Sequence, residues 1–183
     1  MHILCGVYYE LTDTFDVAAD IERCWRFFGA AENLPLITPP WLRFTIAMPT
    51  PLPAIGQDAT LDYTIRWLGV PVKWRTKIID WSPPRQFVDL QVRGPYALWH
   101  HQHRFEPLDG AGGADGASSG SGGVRCFDRV IYQLPVPLVR RVVHAAIVRR
   151  QLREIFRYQR KVIGEHLGGI RPAQEDVVIR PLQ

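Results

Sequence analysis

The chain has 183 residues, 46% of them hydrophobic and 22% charged. That composition fits one globular domain and excludes disorder as the overall state, because a disordered chain carries fewer apolar residues and more charge. No run approaches the roughly 18 unbroken apolar residues needed to span a bilayer, and Met1–Tyr9 has neither the basic start nor the apolar length of a secretory signal.

Cys5, Cys24 and Cys126 are widely spaced and contain no C-x-x-C pair. Free thiols in a reducing cytoplasm are therefore expected, rather than a disulfide framework or a zinc ribbon. Lys and Arg outnumber Asp and Glu by 22 to 18, and the excess is local. Between Val139 and Lys161 lie Arg140, Arg141, Arg149, Arg150, Arg153, Arg157, Arg160 and Lys161 against Glu154 alone, so this segment carries +7 and the remainder −3.

In chain order, Tyr8–Val17 is rich in aromatic and β-branched residues and predicts a strand. Asp20 is placed to cap a short helix whose Ile21, Cys24, Trp25 and Phe28 recur at helical spacing. A second short helix over Ala31–Leu36 is stopped by Pro39-Pro40. Beyond Leu42 the period falls to two. Ala59, Leu61, Tyr63, Ile65 and Trp67 alternate with polar residues, as do Val72, Trp74, Thr76 and Ile78 after a turn at Gly69-Val70-Pro71. Those are two half-buried antiparallel strands. Gln86–Arg93 is a further strand, set off by Pro83-Pro84 and Gly94-Pro95.

Leu98–Glu106 and Val124–Gln133 are the most informative pair. Successive strand residues point to opposite faces, so Trp99, His101, His103 and Phe105 share one face, as do Val124, Cys126, Asp128, Val130 and Tyr132. Those faces must look inward, and His100 outward. Between the two strands lies Asp109–Gly123, nearly all Gly, Ala, Ser and Asp, which reads as a flexible hairpin loop. After Pro135 and Pro137 an apolar stripe from Val139 to Leu167 predicts one long helix, interrupted near its middle by Arg149 and Arg150 and ended by Gly168-Gly169. The tail over 168–183 is expected to be poorly ordered or draped over the surface. The whole is one α+β domain over 1–183 with its core over 8–167: a curved antiparallel sheet of about six to seven strands around a long C-terminal helix, with two short helices after the first strand.

If Pro107 pairs with Val124, then His103 lies opposite Asp128, His101 opposite Val130 and Trp99 opposite Tyr132. A His103–Asp128 pair would orient one imidazole and strengthen its hold on a proton, leaving His101 free to touch a ligand. Asp89 and Gln91 stay open. A two-residue Gly94-Pro95 turn puts Val88, Leu90 and Val92 inward, while a three-residue turn puts Asp89 opposite His101, and the Val-Leu-Val alternation leans to the former. His101 and His103 with Asp128 or Asp89 have the residue types of a metal site, but the sequence offers no clear third and fourth ligand, so no metal is expected. Nor is a cofactor, because no phosphate loop, nucleophile elbow or H-E-x-x-H motif appears. The basic helix could face an anionic membrane surface. It carries neither interleaved aromatic residues nor helix-turn-helix spacing, so nucleic acid is not an expected partner.

The order of elements, the run Phe87-x-Asp89-x-Gln91-x-x-Gly94-Pro95-Tyr96-x-x-Trp99-x-His101-x-His103-x-Phe105, and Asp128-x-Val130-x-Tyr132-x-x-Pro135 resemble the START-like (SRPBCC, helix-grip) superfamily. Within it, the chain resembles the bacterial ligand-binding SRPBCC domain proteins, related to polyketide cyclases/dehydrases. The glycine-rich insert before Val124 departs from that pattern, where relatives make a shorter turn. The resemblance implies a deep cavity between sheet and helix that holds an apolar molecule such as a lipid, quinone or polyketide. Tyr63, Trp67, Trp74, Trp99, His101, His103, Phe105, Asp128 and Tyr132 are the expected binding residues. The alternative is a cyclase or dehydrase with His101, His103 and Asp128 as acid–base groups.

Overall fold

A computed structural model describes residues 7–48, 51–52, 54–67, 69–108, 122–135 and 144–182. Strand β1 (Tyr9–Val17) leads through Asp20 into α1 (Ile21–Phe28). The Asp20 carboxylate accepts the Arg23 backbone N–H at 2.7 Å, the capping bond expected of Asp at that place. A 3₁₀ turn (Ala31–Asn33), the one-turn α2 (Leu34–Ile37) and a second 3₁₀ turn (Pro40–Leu42) follow. The remaining strands are β2 (Thr45–Ile46), β3 (Thr60–Trp67), β4 (Val70–Ser82), β5 (Gln86–Arg93), β6 (Leu98–Pro107) and β7 (Val124–Gln133). A π-helical turn (His144–Val148) runs into α3 (Arg149–Leu167), and β8 (Ile170–Pro172) and β9 (Val178–Pro181) follow.

The nine strands among the described residues form one antiparallel sheet in the order β2-β3-β4-β5-β6-β7-β1-β8, with β9 also on β1. Register shifts at Arg75/Thr76 and Ile78/Asp80 in the long β4 add the local bend that lets the sheet wrap a helix. Helix α3 buries Leu152, Phe156, Gln159, Ile163 and Leu167 at three- and four-residue spacing, with Val162 beside Ile163, laying its largely apolar stripe on the concave face. Gly168, at φ 92°, ends it in the left-handed conformation. The core has two clusters. One joins Phe15, Cys24, Phe28, Phe105, Ile163 and Leu167; the other joins Leu11, Trp74, Trp99, Tyr132, Leu152 and Phe156.

The stretch after Gly168 differs from the expected tail. It turns back and pairs with the open edge of β1 through β8 and β9, burying Val177 and Ile179. An unpaired β1 edge would leave a row of backbone donors and acceptors exposed, which this return covers. Val139, Arg140, Arg141, Val142, Val143 and nearly all of the glycine-rich loop lie outside the described residues. Cys24 and Cys126 are free and buried.

Candidate functional site

Between the concave sheet, the α1–α2 segment and α3 lies a cavity of about 470 Å³. Its wall is mostly aromatic and aliphatic, drawn from both core clusters and from Leu34, Ile37 and Leu42 between β1 and β2. Six of the nine residues expected from the sequence line it: Tyr63, Trp67, Trp74, Trp99, His101 and His103. The other three do not. Phe105 packs against Phe28 and Trp25 of α1, and Tyr132 is wholly buried with its hydroxyl on His144 Nε2 at 2.6 Å. Asp128 sits behind the histidines rather than at the wall. In each case the residue has the inward facing the alternation requires, but a neighbouring side chain stands between it and the hollow.

The β6–β7 register is the one inferred from pairing Pro107 with Val124: His103 opposite Asp128, His101 opposite Val130, Trp99 opposite Tyr132. The β5–β6 register decides the open question for Asp89. Asp89 lies opposite His101 and lines the cavity with it, so the leaning toward an inward Val88-Leu90-Val92 is corrected, and Val92 is exposed. Gln91 folds back on the turn, its amide donating to the Tyr96 carbonyl at 2.7 Å.

Four titratable side chains therefore meet at one end of the cavity. His101 Nε2 is 3.2 Å from Asp128 Oδ1 and His103 Nδ1 is 2.7 Å from the same oxygen. The second contact is short but out of line with the ring N–H, so it acts as an ion-pair contact rather than a straight hydrogen bond. The opposite ring nitrogens, His101 Nδ1 and His103 Nε2, face Asp89 Oδ2 at 3.4 and 3.6 Å. His101 is thus held between two carboxylates and is not the free group expected. Burial pulls the His103 imidazolium down, but Asp128 and Asp89 outweigh it and push its pKa up to about 9. Burial likewise raises Asp128, yet the two imidazoles hold it well below the usual carboxylate range.

Sequence reasoning missed several polar wall residues. Thr76 accepts the Trp74 indole N–H at 3.1 Å and lies 3.2 Å from the Tyr63 hydroxyl. Gln151 accepts the Trp67 indole N–H at 2.6 Å, tying β3 to α3 across the rim. Gln159 is buried among Phe156, Val162 and Ile163, and a glutamine inside an apolar stripe was the available signal. Burial alone pushes the Tyr96 phenol far up, so it faces the cavity as a neutral hydroxyl. Most of the basic run of α3 is engaged: Arg157 pairs with Asp176, Arg160 with Asp13, Arg150 with Glu154 and Lys161 with Glu165. Among the described residues no helix is long and apolar enough to cross a membrane.

No protein-family model matches the sequence and no curated protein does; the likeness is one of three-dimensional structure. A START superfamily protein from Mycobacterium smegmatis superposes with a TM-score of 0.60 at 14% identity, covering 87% of this chain and 97% of that one. Norcoclaurine synthase from Thalictrum flavum, in complex with dopamine and hydroxybenzaldehyde, gives 0.58 at 16% identity over 91% and 94%. The di-domain ARO/CYC protein StfQ of the steffimycin biosynthetic pathway gives 0.57 at 14% identity over 88% of this chain and 53% of its own. The chain therefore has the START-like, helix-grip fold.

Proposed function

We propose that this chain binds an apolar small molecule of lipid, quinone or polyketide type in the cavity between its sheet and α3. The observation that carries the proposal is a hollow of about 470 Å³, within the range of small-molecule sites, walled by Tyr63, Trp67, Trp74 and Trp99 and polar at one end through Asp89, His101 and His103. Each 100 Å² of apolar ligand surface withdrawn from water contributes about 2.5 kcal/mol, so the wall supplies affinity and the polar end orientation. Asp128 acts through the imidazoles it holds, and Phe105 and Tyr132 support the wall from behind. The test is native mass spectrometry of the chain purified from its own host, followed by denaturing extraction. A co-purifying apolar molecule in one-to-one amount supports the reading. A protein that carries nothing and leaves a hydrophobic probe dye unbound overturns it.

A second reading, a cyclase or dehydrase, is supported by the convergence of two imidazoles and two carboxylates on the ligand end of the cavity, and by the structural likeness to an ARO/CYC protein. Replacing His101 and His103 together by Gln separates the two. A carrier changes affinity modestly, whereas an enzyme keeps its ligand and loses turnover. Among the described residues of α3, Arg149 and Arg153 are the basic groups without an acidic partner, so peripheral membrane contact draws little support from this helix; a cytoplasmic location fits the carrier reading.

A further inference from the structure

Asp89, His101 and His103 each present one donor atom, and these atoms lie within 4.8 Å of one another. We propose that they hold a divalent first-row transition ion of the zinc class, with Asp128 fixing both imidazoles from behind and one coordination position open to the cavity. The sequence offered the residue types of such a site, His101 and His103 with Asp128 or Asp89, but no clear third ligand; the β5–β6 register supplies it by setting Asp89 opposite His101.

The two nitrogens of each ring are divided between two tasks. His101 Nδ1 and His103 Nε2 face Asp89 Oδ2 at 3.4 and 3.6 Å. Neither contact makes a good hydrogen bond, but ligands about 2.1 Å from a tetrahedral ion stand roughly 3.4 Å apart. The spacing is that of donors around an ion rather than of donors bound to each other. The remaining nitrogens, His101 Nε2 and His103 Nδ1, both face Asp128 Oδ1 at 3.2 and 2.7 Å. A carboxylate on the far nitrogen is the arrangement that sets the tautomer and direction of a metal-bound imidazole. Here one buried carboxylate, 3% exposed, hydrogen-bonds His101 Nε2 and stands against His103 Nδ1 out of line with its N–H.

The donor set selects the ion. Two imidazoles and one carboxylate suit zinc, iron(II), cobalt(II) or nickel(II), and not magnesium or calcium, which take oxygen ligands. Three protein ligands with an open place is the pattern of reactive rather than structural sites. The open place falls on the cavity side, because Asp89, His101 and His103 line the hollow and Asp128 does not. A water, or an oxygen of the molecule in the cavity, would fill it. That last clause rests on the cavity reading; binding of the ion does not.

The test uses the untagged full chain, stripped with a chelator and dialysed, then titrated with cobalt(II) as the spectroscopic probe and with zinc(II) by equilibrium dialysis. One ion per chain, zinc displacing cobalt, is the expected result. Asp89→Asn, His101→Gln and His103→Gln should each weaken binding by about 100-fold or more, and Asp128→Asn by roughly 10- to 100-fold. His100→Gln, one residue along the strand on the opposite face, should bind like the wild type. Circular dichroism confirms that each variant is folded, and the wild-type stoichiometry stands whatever the variants do. Wild-type affinity weaker than about 100 μM, or equal loss in His100→Gln, overturns the proposal. Probe-dye binding by the ion-free chain tests the cavity reading separately.

Discussion

Replacing Arg160 by Met tests how α3 is held on the sheet. Asp13 of β1 and Asp128 of β7 are directly opposite in register, both face the interior, and they are 1% and 3% exposed. Opposite side chains across such a pair are about 5 Å apart. Two unit charges at that distance, with an effective dielectric near 20, repel by about 3 kcal/mol. The fold tolerates them because each has its own cation: His103 for Asp128, and Arg160 for Asp13. The Arg160 guanidinium takes both oxygens of Asp13 and also donates to the Gln174 carbonyl at 3.2 Å. One side chain thus joins α3, β1 and the returning C-terminal segment. Arg160→Met strands a buried carboxylate beside another, and the expected loss is about 3–5 kcal/mol. Urea unfolding at pH 7, followed by tryptophan fluorescence, measures it. Adding Asp13→Asn to Arg160→Met removes the stranded charge and should restore about 2 kcal/mol or more. A single variant within about 1 kcal/mol of wild type, or a double variant no better than the single, would refute the electrostatic account.

Three further outcomes follow from the same packing. His144 stacks on Tyr9 with ring centroids 3.5 Å apart and shares a hydrogen bond with the Tyr132 hydroxyl, and burial lowers its pKa from 6.5 to about 4. The unfolded chain takes the proton first, so stability should fall as pH drops from 6.5 toward 4, by about 1.4 kcal/mol per unit, with no contribution above that window. In His144→Gln this part of the slope should vanish, and an unchanged slope would count against it. Leu152→Trp should fill part of the cavity, weakening probe-dye binding about tenfold or more with a stability change below about 1.5 kcal/mol; undiminished binding would place the dye elsewhere. Gly164→Ala puts a Cβ 2.5 Å from Ile170 Cγ1 of β8, so despite alanine's better helix propensity it should cost about 1–3 kcal/mol by thermal unfolding, and a neutral result would show that β8 yields freely.

What depends on near neighbours could be read residue by residue. Period-two alternation set the faces of β3, β4, β6 and β7, so the inward His101, His103 and Asp128 were legible. The spacing of apolar residues and the Gly168 stop marked the far end of α3. Even the β6–β7 register was legible, because the two strands flank one loop and Pro107 with Val124 gives them a common origin. Tertiary structure decided what depends on partners distant along the chain. Asp89 turns inward because the β5–β6 turn and the bulged β4 set the slip of β5, and a slip of one residue exchanges the faces without changing any local pattern. The strands after Gly168 exist because β1 has an open edge, to which Ile170–Pro172 and Val178–Pro181 return across more than 150 residues of chain. Asp13 is buried because Arg160, on the opposite layer, arrives to neutralise it. Alternation is written residue by residue, whereas register, edge and charge partner are properties of two segments at once. The polar end of the cavity is made of such pairs.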